Sequence, residues 1–218
     1  HGKNYRCGTT NCKKIKSSYK LSNLVKKIKN NLEEQLQKNI EAHLGILDFS
    51  DQIINVIQIL QKKLKLGGKL LFCGNGGSAA DAQHLAAEFL IRLRPHVNRN
   101  PIPAISLVQD TSTLTACGND YSFDDIFLRP FQALCGKNDV LICISTSGNS
   151  KNVIKVLKEA KKKNIYSICF LGKDGGKAKK YCDNSLIVKS DNTARIQECH
   201  IFIGHFILEK VEDFILKK

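Results

Sequence analysis

Three serines and a threonine crowd into Ser145-Thr146-Ser147-Gly148-Asn149-Ser150, directly after the apolar run at residues 140–144. A strand that ends in hydroxyls and a glycine, and then opens a helix at Lys151, is arranged to hold an anion. The glycine relaxes the backbone, the first-turn amides of the helix point outward with the positive end of its dipole, and the hydroxyls donate further hydrogen bonds. Phosphate is the natural guest.

A second turn of this kind, Gly74-Asn75-Gly76-Gly77-Ser78, follows the apolar run at 69–73. It is not a dinucleotide fingerprint, because the third glycine of that spacing is replaced by Ala79, and no phosphate-loop lysine follows. One glycine cluster is equally well a tight strand-to-helix turn. Two hydroxyl- and glycine-rich turns at successive sheet edges point to a sugar phosphate cradled by backbone amides, without a nucleotide.

The helix opened by the second turn carries His84 and Glu88 four residues apart, hence on one face. Such a pair binds a metal or shares proton transfer, although one imidazole–carboxylate pair on a surface helix also arises by chance. Near the C-terminus, Gln197 and His205 are eight residues apart, a little over two turns, and share a face. His200 lies on a different face and is read as structural or exposed. If the two helices meet at a shared cleft, His84, Glu88, Gln197 and His205 can converge on one ion, and that mixture of nitrogen and oxygen ligands suits zinc.

The elements that must position these groups are legible in the hydrophobic pattern. From residue 21 to about 49, apolar side chains recur every three or four positions, as in an amphipathic helix, and a second such helix runs from 50 to 66, ending at Gly67-Gly68. Five short runs follow, at 69–73, 102–107, 139–144, 166–171 and 185–188. They are apolar on both faces, which is how strands of a covered parallel sheet read. The intervening helices are predicted at 78–93, 111–117, 125–135, 152–163 and 176–182, with a long last helix from about 194 to 216. The fold class is α/β, and ligands of an open sheet of this kind sit at the carboxyl ends of its strands.

With 218 residues and 42% hydrophobic content, the chain can bury one substantial core. The expected organisation is a basic extension over residues 1–20, without a fixed structure of its own, and a single domain over 21–218. No run of about 18 apolar residues exists and the N-terminus lacks the apolar stretch of a secretion signal, so a cytoplasmic location and no membrane contact are expected. The nine cysteines are scattered, several within strand-like runs, and read as reduced core residues rather than a disulfide framework. The net charge of +14 invites a nucleic-acid reading, but nine of the basic side chains fall in residues 1–29, which hold no acid. The basicity is mostly an arm, and such lysine-rich, aromatic-poor arms are more often solvated than bound to nucleic acid.

Gly74-Asn75-Gly76-Gly77-Ser78, His84-x3-Glu88-x3-Arg92, Gly118-Asn119-Asp120, the serine turn, Gly172-Lys173-Asp174-Gly175-Gly176 and Arg195-Ile196-Gln197-Glu198 together resemble the bacterial phosphoheptose isomerases of the sugar-isomerase (SIS) superfamily. The resemblance runs from about residue 21 to the end. It implies a doubly wound, parallel five-stranded sheet preceded by two N-terminal helices, assembled as a homotetramer with active sites built between subunits. It further implies isomerisation of sedoheptulose 7-phosphate to D-glycero-D-manno-heptose 7-phosphate, toward lipopolysaccharide or capsule. By similarity, Ser145, Thr146, Ser147 and Ser150 hold the phosphate with Ser78 nearby, while Asn75, Gly76, Gly77, Asn119 and Asp120 line the sugar site and Arg92 assists. One zinc per subunit is implied on His84, Glu88, Gln197 and His205, with Gln197 and Glu88 also touching substrate and Glu88 and His205 as the proton-transfer pair. Because coordination lowers the basicity of a carboxylate, Glu88 is expected to alternate between these roles, or the metal to be partly structural.

Ala194 departs from the acidic residue that many members carry before the Arg-Ile-Gln-Glu motif, so a polar contact to the sugar is expected to be missing. The alternative function is a non-enzymatic tetrameric protein of the same superfamily that binds the replication initiator. Its mark is loss of a catalytic residue, and this chain keeps both Glu88 and His205. An arabinose 5-phosphate isomerase is expected to carry further regulatory domains.

Overall fold

The computed structural model describes residues 9–216, with side chains from Asn23 onward. The first eight residues of the expected basic extension, Cys7 among them, and the side chains of its remainder, that of Cys12 included, lie outside the described residues. The chain divides into two units, His1–Glu41 and Ala42–Lys218. Helix α1, Thr9–Leu44, makes up the described part of the first unit and ends inside the second. In the second unit a 3-10 turn at Gly45–Phe49 leads into helix α2, Ser50–Lys65. The two predicted N-terminal helices are therefore present, with the first beginning earlier than its apolar periodicity.

Five strands follow: β1 Leu70–Gly74, β2 Ala104–Ser106, β3 Val140–Ser145, β4 Tyr166–Gly172 and β5 Asn184–Val188. All pairs are parallel and the order is β2-β1-β3-β4-β5. Parallel strands need crossover segments on the sheet faces, so β1 and β3 are buried along their whole length, as their continuous apolar runs require. The crossovers are α3 Gly77–Leu90, α4 Thr111–Asp120, α5 Leu128–Leu134 and α6 Lys151–Lys162, and the fold closes with α7 Thr193–Leu216. Strand β1 leads to β2 on one side and β3 lies on its other side. The chain therefore reverses its winding between β1 and β3, where the rule for open α/β sheets places the ligand crevice.

The register of that central pair is pinned at its start by Asp139, which is 3% exposed. Its carboxylate accepts from the Lys69 backbone N–H at 2.9 Å and from that of Gly136 at 2.7 Å, and pairs with Lys69 Nζ at 2.5 Å. Further along the same strands, Cys73 and Cys143 stand side by side with sulfurs 3.4 Å apart. The seven described cysteines are all free thiols, five of them buried, and the buried ones act as small core hydrophobes.

Two predicted helices change form. The stretch at 176–182 is a glycine-rich turn followed by a single 3-10 turn, Ala178–Lys180, because Gly175 and Gly176 adopt positive φ (89° and 54°) to pack backbone against backbone. Helix α3 ends at Leu90 and not at 93, so Arg92 leaves the helix. Among the described residues no helix is long and apolar enough to cross a membrane.

His200 on α7 is fully buried, and its Nε2–H donates to Leu171 O at 3.0 Å while Nδ1 has no partner. Burial pushes its pKa down to about 4, only partly offset by that hydrogen bond. A histidine held neutral in the fold but free to protonate near 6.5 when unfolded lowers stability as pH falls from about 6.5 toward 4. His200→Phe should remove roughly 3 kcal/mol of that acid-side loss. Chemical denaturation at pH 7.5 and 4.5 checks this, and an identical pH slope in both proteins would count against it.

Candidate active site

The two predicted anion turns emerge side by side at the switch point, since Gly74 pairs with Ile144 in the register of β1 and β3. They are joined by a reciprocal amide pair: Asn75 Nδ2 donates to Asn152 Oδ1 and Asn152 Nδ2 to Asn75 Oδ1, both at 2.9 Å. Asn152, in the first turn of α6, is 2% exposed, so the pair fixes the spacing of the two turns.

Within the serine turn, Ser145 Oγ accepts from the Gly148 N–H at 3.1 Å and Ser147 Oγ from that of Asn149 at 3.2 Å. Ser150 is the residue before α6, and its hydroxyl caps none of the helix amides. That hydroxyl therefore stays free at the positive end of the helix. Gly148 takes φ 61°, and a Cβ there would lie 2.1 Å from Gly175 O; one on Gly176 would lie 2.4 Å from Ser147 O. The loop after β4 thus braces the serine turn from below, with Gly148 O accepting from the Ala178 N–H at 2.8 Å.

In the other turn Gly76 takes φ 57° and precedes α3, and Ser78 is 3% exposed in its first turn. Gly77 lies against the side chain of Gln197, whose Nε2 would be 2.4 Å from a Cβ at that position. Gln197, from the start of α7, is thereby brought to the β1 turn.

Helices α3 and α7 cross where Gly204 meets Leu85, so closely that a Cβ on Gly204 would fall 2.6 Å from both Leu85 methyl carbons. The next residue on one helix and the preceding one on the other are His205 and His84, whose Nε2 atoms stand 2.9 Å apart with rings nearly edge to face. Glu88 Oε1 lies 3.8 Å from His84 Nε2. At that separation two neutral rings must be one donor and one acceptor. Burial first, and then the charge of His84, push the pKa of His205 below the ordinary histidine value. Two imidazole nitrogens aimed at one point, with a carboxylate beside them, can pass a proton or share a cation.

Other predicted residues stand apart from this cluster. Asn119 and Asp120 are bonded to each other at 2.8 Å, exposed, in the last turn of α4. Arg92 is exposed in the bend after α3. Neither group is hydrogen-bonded to the two turns. Sequence reading passed over Asp81, one turn before His84 on α3, whose buried Oδ2 has no partner. Desolvation raises its pKa to about 6 against the pull of His84. Its only signal in the sequence is the i, i+3 spacing to that histidine.

The SIS domain model matches residues 20–172. Phosphoheptose isomerase from Clostridium acetobutylicum is 50% identical over 188 residues, covering 85% of this chain and 95% of the relative. The chain belongs to the phosphoheptose isomerase family of SIS-domain proteins. Phosphoheptose isomerase from Aquifex aeolicus is 47% identical over 183 residues, covering 84% of this chain and 95% of its own. The structure of phosphoheptose isomerase GmhA from Neisseria gonorrhoeae superposes with a TM-score of 0.80 at 37% identity, over 85% of this chain and 99% of that one. The five parallel strands read from the hydrophobic runs, and the doubly wound sheet that the resemblance implied, are the architecture of this family.

The turn geometry generates a stability prediction. Gly148→Ala forces a side chain into left-handed backbone and onto Gly175 O, so it should destabilise the fold by about 2–3 kcal/mol or displace the brace loop. Thermal melting of the variant checks this, and an unchanged midpoint would remove the proposed contact.

Proposed function

We propose that the cleft between the two turns and the α3–α7 crossing isomerises sedoheptulose 7-phosphate to D-glycero-D-manno-heptose 7-phosphate. The observation that carries this reading is the meeting of His84, Glu88 and His205 beside two linked anion turns, in a chain about half identical to phosphoheptose isomerases. The serine turn, through Ser145, Thr146, Ser147 and Ser150, takes the phosphate. Asn75, Gly76, Gly77, Ser78 and Gln197 face the sugar.

The chemistry moves a carbonyl from C2 to C1. Glu88 removes a proton from C1, the electron pair becomes the C1–C2 double bond, and the carbonyl pair moves onto O2 to give an enediolate. His205 carries a proton from O1 to O2, and return of a proton to C2 leaves the aldehyde at C1. A neutral imidazole is the form that can both accept and give a proton, which the lowered pKa of His205 favours near neutral pH.

Zinc belongs to the same proposal. Two imidazole nitrogens on one tetrahedral zinc stand about 3.3 Å apart. The observed 2.9 Å differs by a few tenths of an ångström, and Glu88 is adjacent, so the donor chemistry fits. No three His, Cys, Asp or Glu among the described residues are gathered as a complete metal site. His84, Glu88 and His205 would hold the ion with the Gln197 amide as fourth ligand, and bound zinc would polarise the carbonyl as a Lewis acid.

A homotetramer is the assembly we propose. The support is an exposed apolar stripe on α1, comprising Leu24, Ile28, Leu32, Leu36 and Ile40, which a monomer leaves in water. Asn119, Asp120 and Arg92 then reach a site through a neighbouring subunit. Binding of the replication initiator gains no support from the comparisons.

Glu88→Gln and His205→Ala should each lower turnover of sedoheptulose 7-phosphate by at least about a thousandfold without dissociating the assembly. Near-native rates in either variant would remove these roles. Metal analysis of the purified protein should find about one zinc per chain, with activity lost on chelation and restored by zinc. Metal-free protein that is fully active would sink the zinc assignment.

A further inference from the structure

Arg99 lies in the irregular segment between α3 and β2, yet its side chain is only 1% exposed. Each nitrogen of its guanidinium is committed. Nε donates to Glu212 Oε1 at 2.5 Å, Nη2 to Glu88 O at 2.8 Å, and Nη1 to Phe89 O at 2.9 Å and Asn100 O at 3.1 Å. Glu212, on α7, is fully buried, and its other oxygen accepts from Arg94 Nε at 2.9 Å, while Arg94 also pairs with Asp213 at 2.8 Å. Two guanidinium groups thus meet two carboxylates, and the buried charge is balanced.

The location of this clamp matters more than its stability. Helix α3 has no C-terminal glycine cap; the planar fork of Arg99 donates to two of its last carbonyls at the negative end of the helix dipole, to Glu88 O and to Phe89 O, the latter also accepting from the Ile102 N–H at 3.1 Å. One of the two belongs to Glu88 itself. At its other end the clamp grips Glu212, seven residues beyond His205 and so on the same face of α7. The contacts that join α3 to α7, Gly77 with Gln197, His84 with His205 and Leu85 with Gly204, all lie before Glu88 on α3. Arg99 ties down the C-terminal turn that carries Glu88.

We propose that Arg99, held by Glu212, is a positioning residue that sets the Glu88 carboxylate against His205 by tying the C-terminal turn of α3 to α7. This rests on Glu88 and His205 being the proton-transfer pair. Arg99 touches neither substrate nor the reacting groups, so its effect falls on turnover and leaves the serine turn unaffected. A lysine keeps the charge but offers one nitrogen and cannot span the carboxylate and both carbonyls.

The test is steady-state isomerisation of sedoheptulose 7-phosphate by the full chain, with thermal melts of the same preparations. Arg99→Lys should lower kcat by about 10–100-fold with KM within about threefold, the size of loss that follows a misplacement near 1 Å. The double variant Arg99→Met with Glu212→Leu leaves no uncompensated buried carboxylate and should melt above Arg99→Met alone, because breaking one side of a buried pair is the costlier change. Its kcat should nevertheless stay low. Recovery of both melting point and kcat in the double variant, or a kcat within twofold of wild type in Arg99→Lys, would overturn the proposal. An inactive wild type would overturn the functional reading and this inference with it, whereas an active wild type matched by Arg99→Lys would overturn this inference alone.

Discussion

The site depends on a place where a side chain is missing. Gly204 lets α7 settle onto Leu85 of α3, and no larger residue could occupy that point without pushing the helices apart by the width of a methyl group. Everything chemical about the two helices follows from that approach. His84 and His205 flank the contact and so meet at hydrogen-bond distance, although they are 121 residues apart in sequence. The close packing of protein interiors makes such a crossing nearly rigid, and a pair of imidazoles placed by it is preorganised by the helices that carry it.

The sheet supplies the other half of the geometry. Reversal of winding between β1 and β3 opens a crevice, and both anion turns lie at its mouth because each follows one of those two strands. Their spacing is held by a reciprocal pair of amides, and the serine turn rests on the glycine-rich loop after β4. Positive φ values at Gly148, Gly175 and Gly176 permit backbone to lie on backbone there. The phosphate cradle proposed here, made in part of main-chain groups, needs this support, since those donors cannot be re-aimed by a change of rotamer.

Much of this was legible in the sequence because it is local. The five strands fall within about two residues of the apolar runs that announced them, and both turns open helices where hydroxyls and glycines follow a strand. The nearness of His84 to Glu88 follows from helical periodicity alone. Long-range effects were not legible. Gly204 reads as an unremarked residue within a helix until Leu85 is opposite it. Arg99 reads as one cation among many until its burial shows four acceptors around it. The helix predicted to reach residue 93 stops at 90, and the helix predicted at 176–182 yields to a tertiary requirement for backbone contact. Asp81 was missed because an unpaired carboxyl oxygen is a property of its surroundings, not of its residue type.

The serine turn and the proposed reacting groups are built on different scaffolds: the first on strand ends and their loops, the second on the crossing of two helices. Asn75 with Asn152 belongs wholly to the first, and Gly204 with Leu85 wholly to the second. Such a division lets selection work on each part separately. On the proposed assignment, mutations in α3 and α7 can alter or extinguish the reaction while a phosphorylated sugar is still gripped at the sheet edge. A fold arranged in this way can give rise to sensors as readily as to catalysts, with the ligand retained after the chemistry is lost.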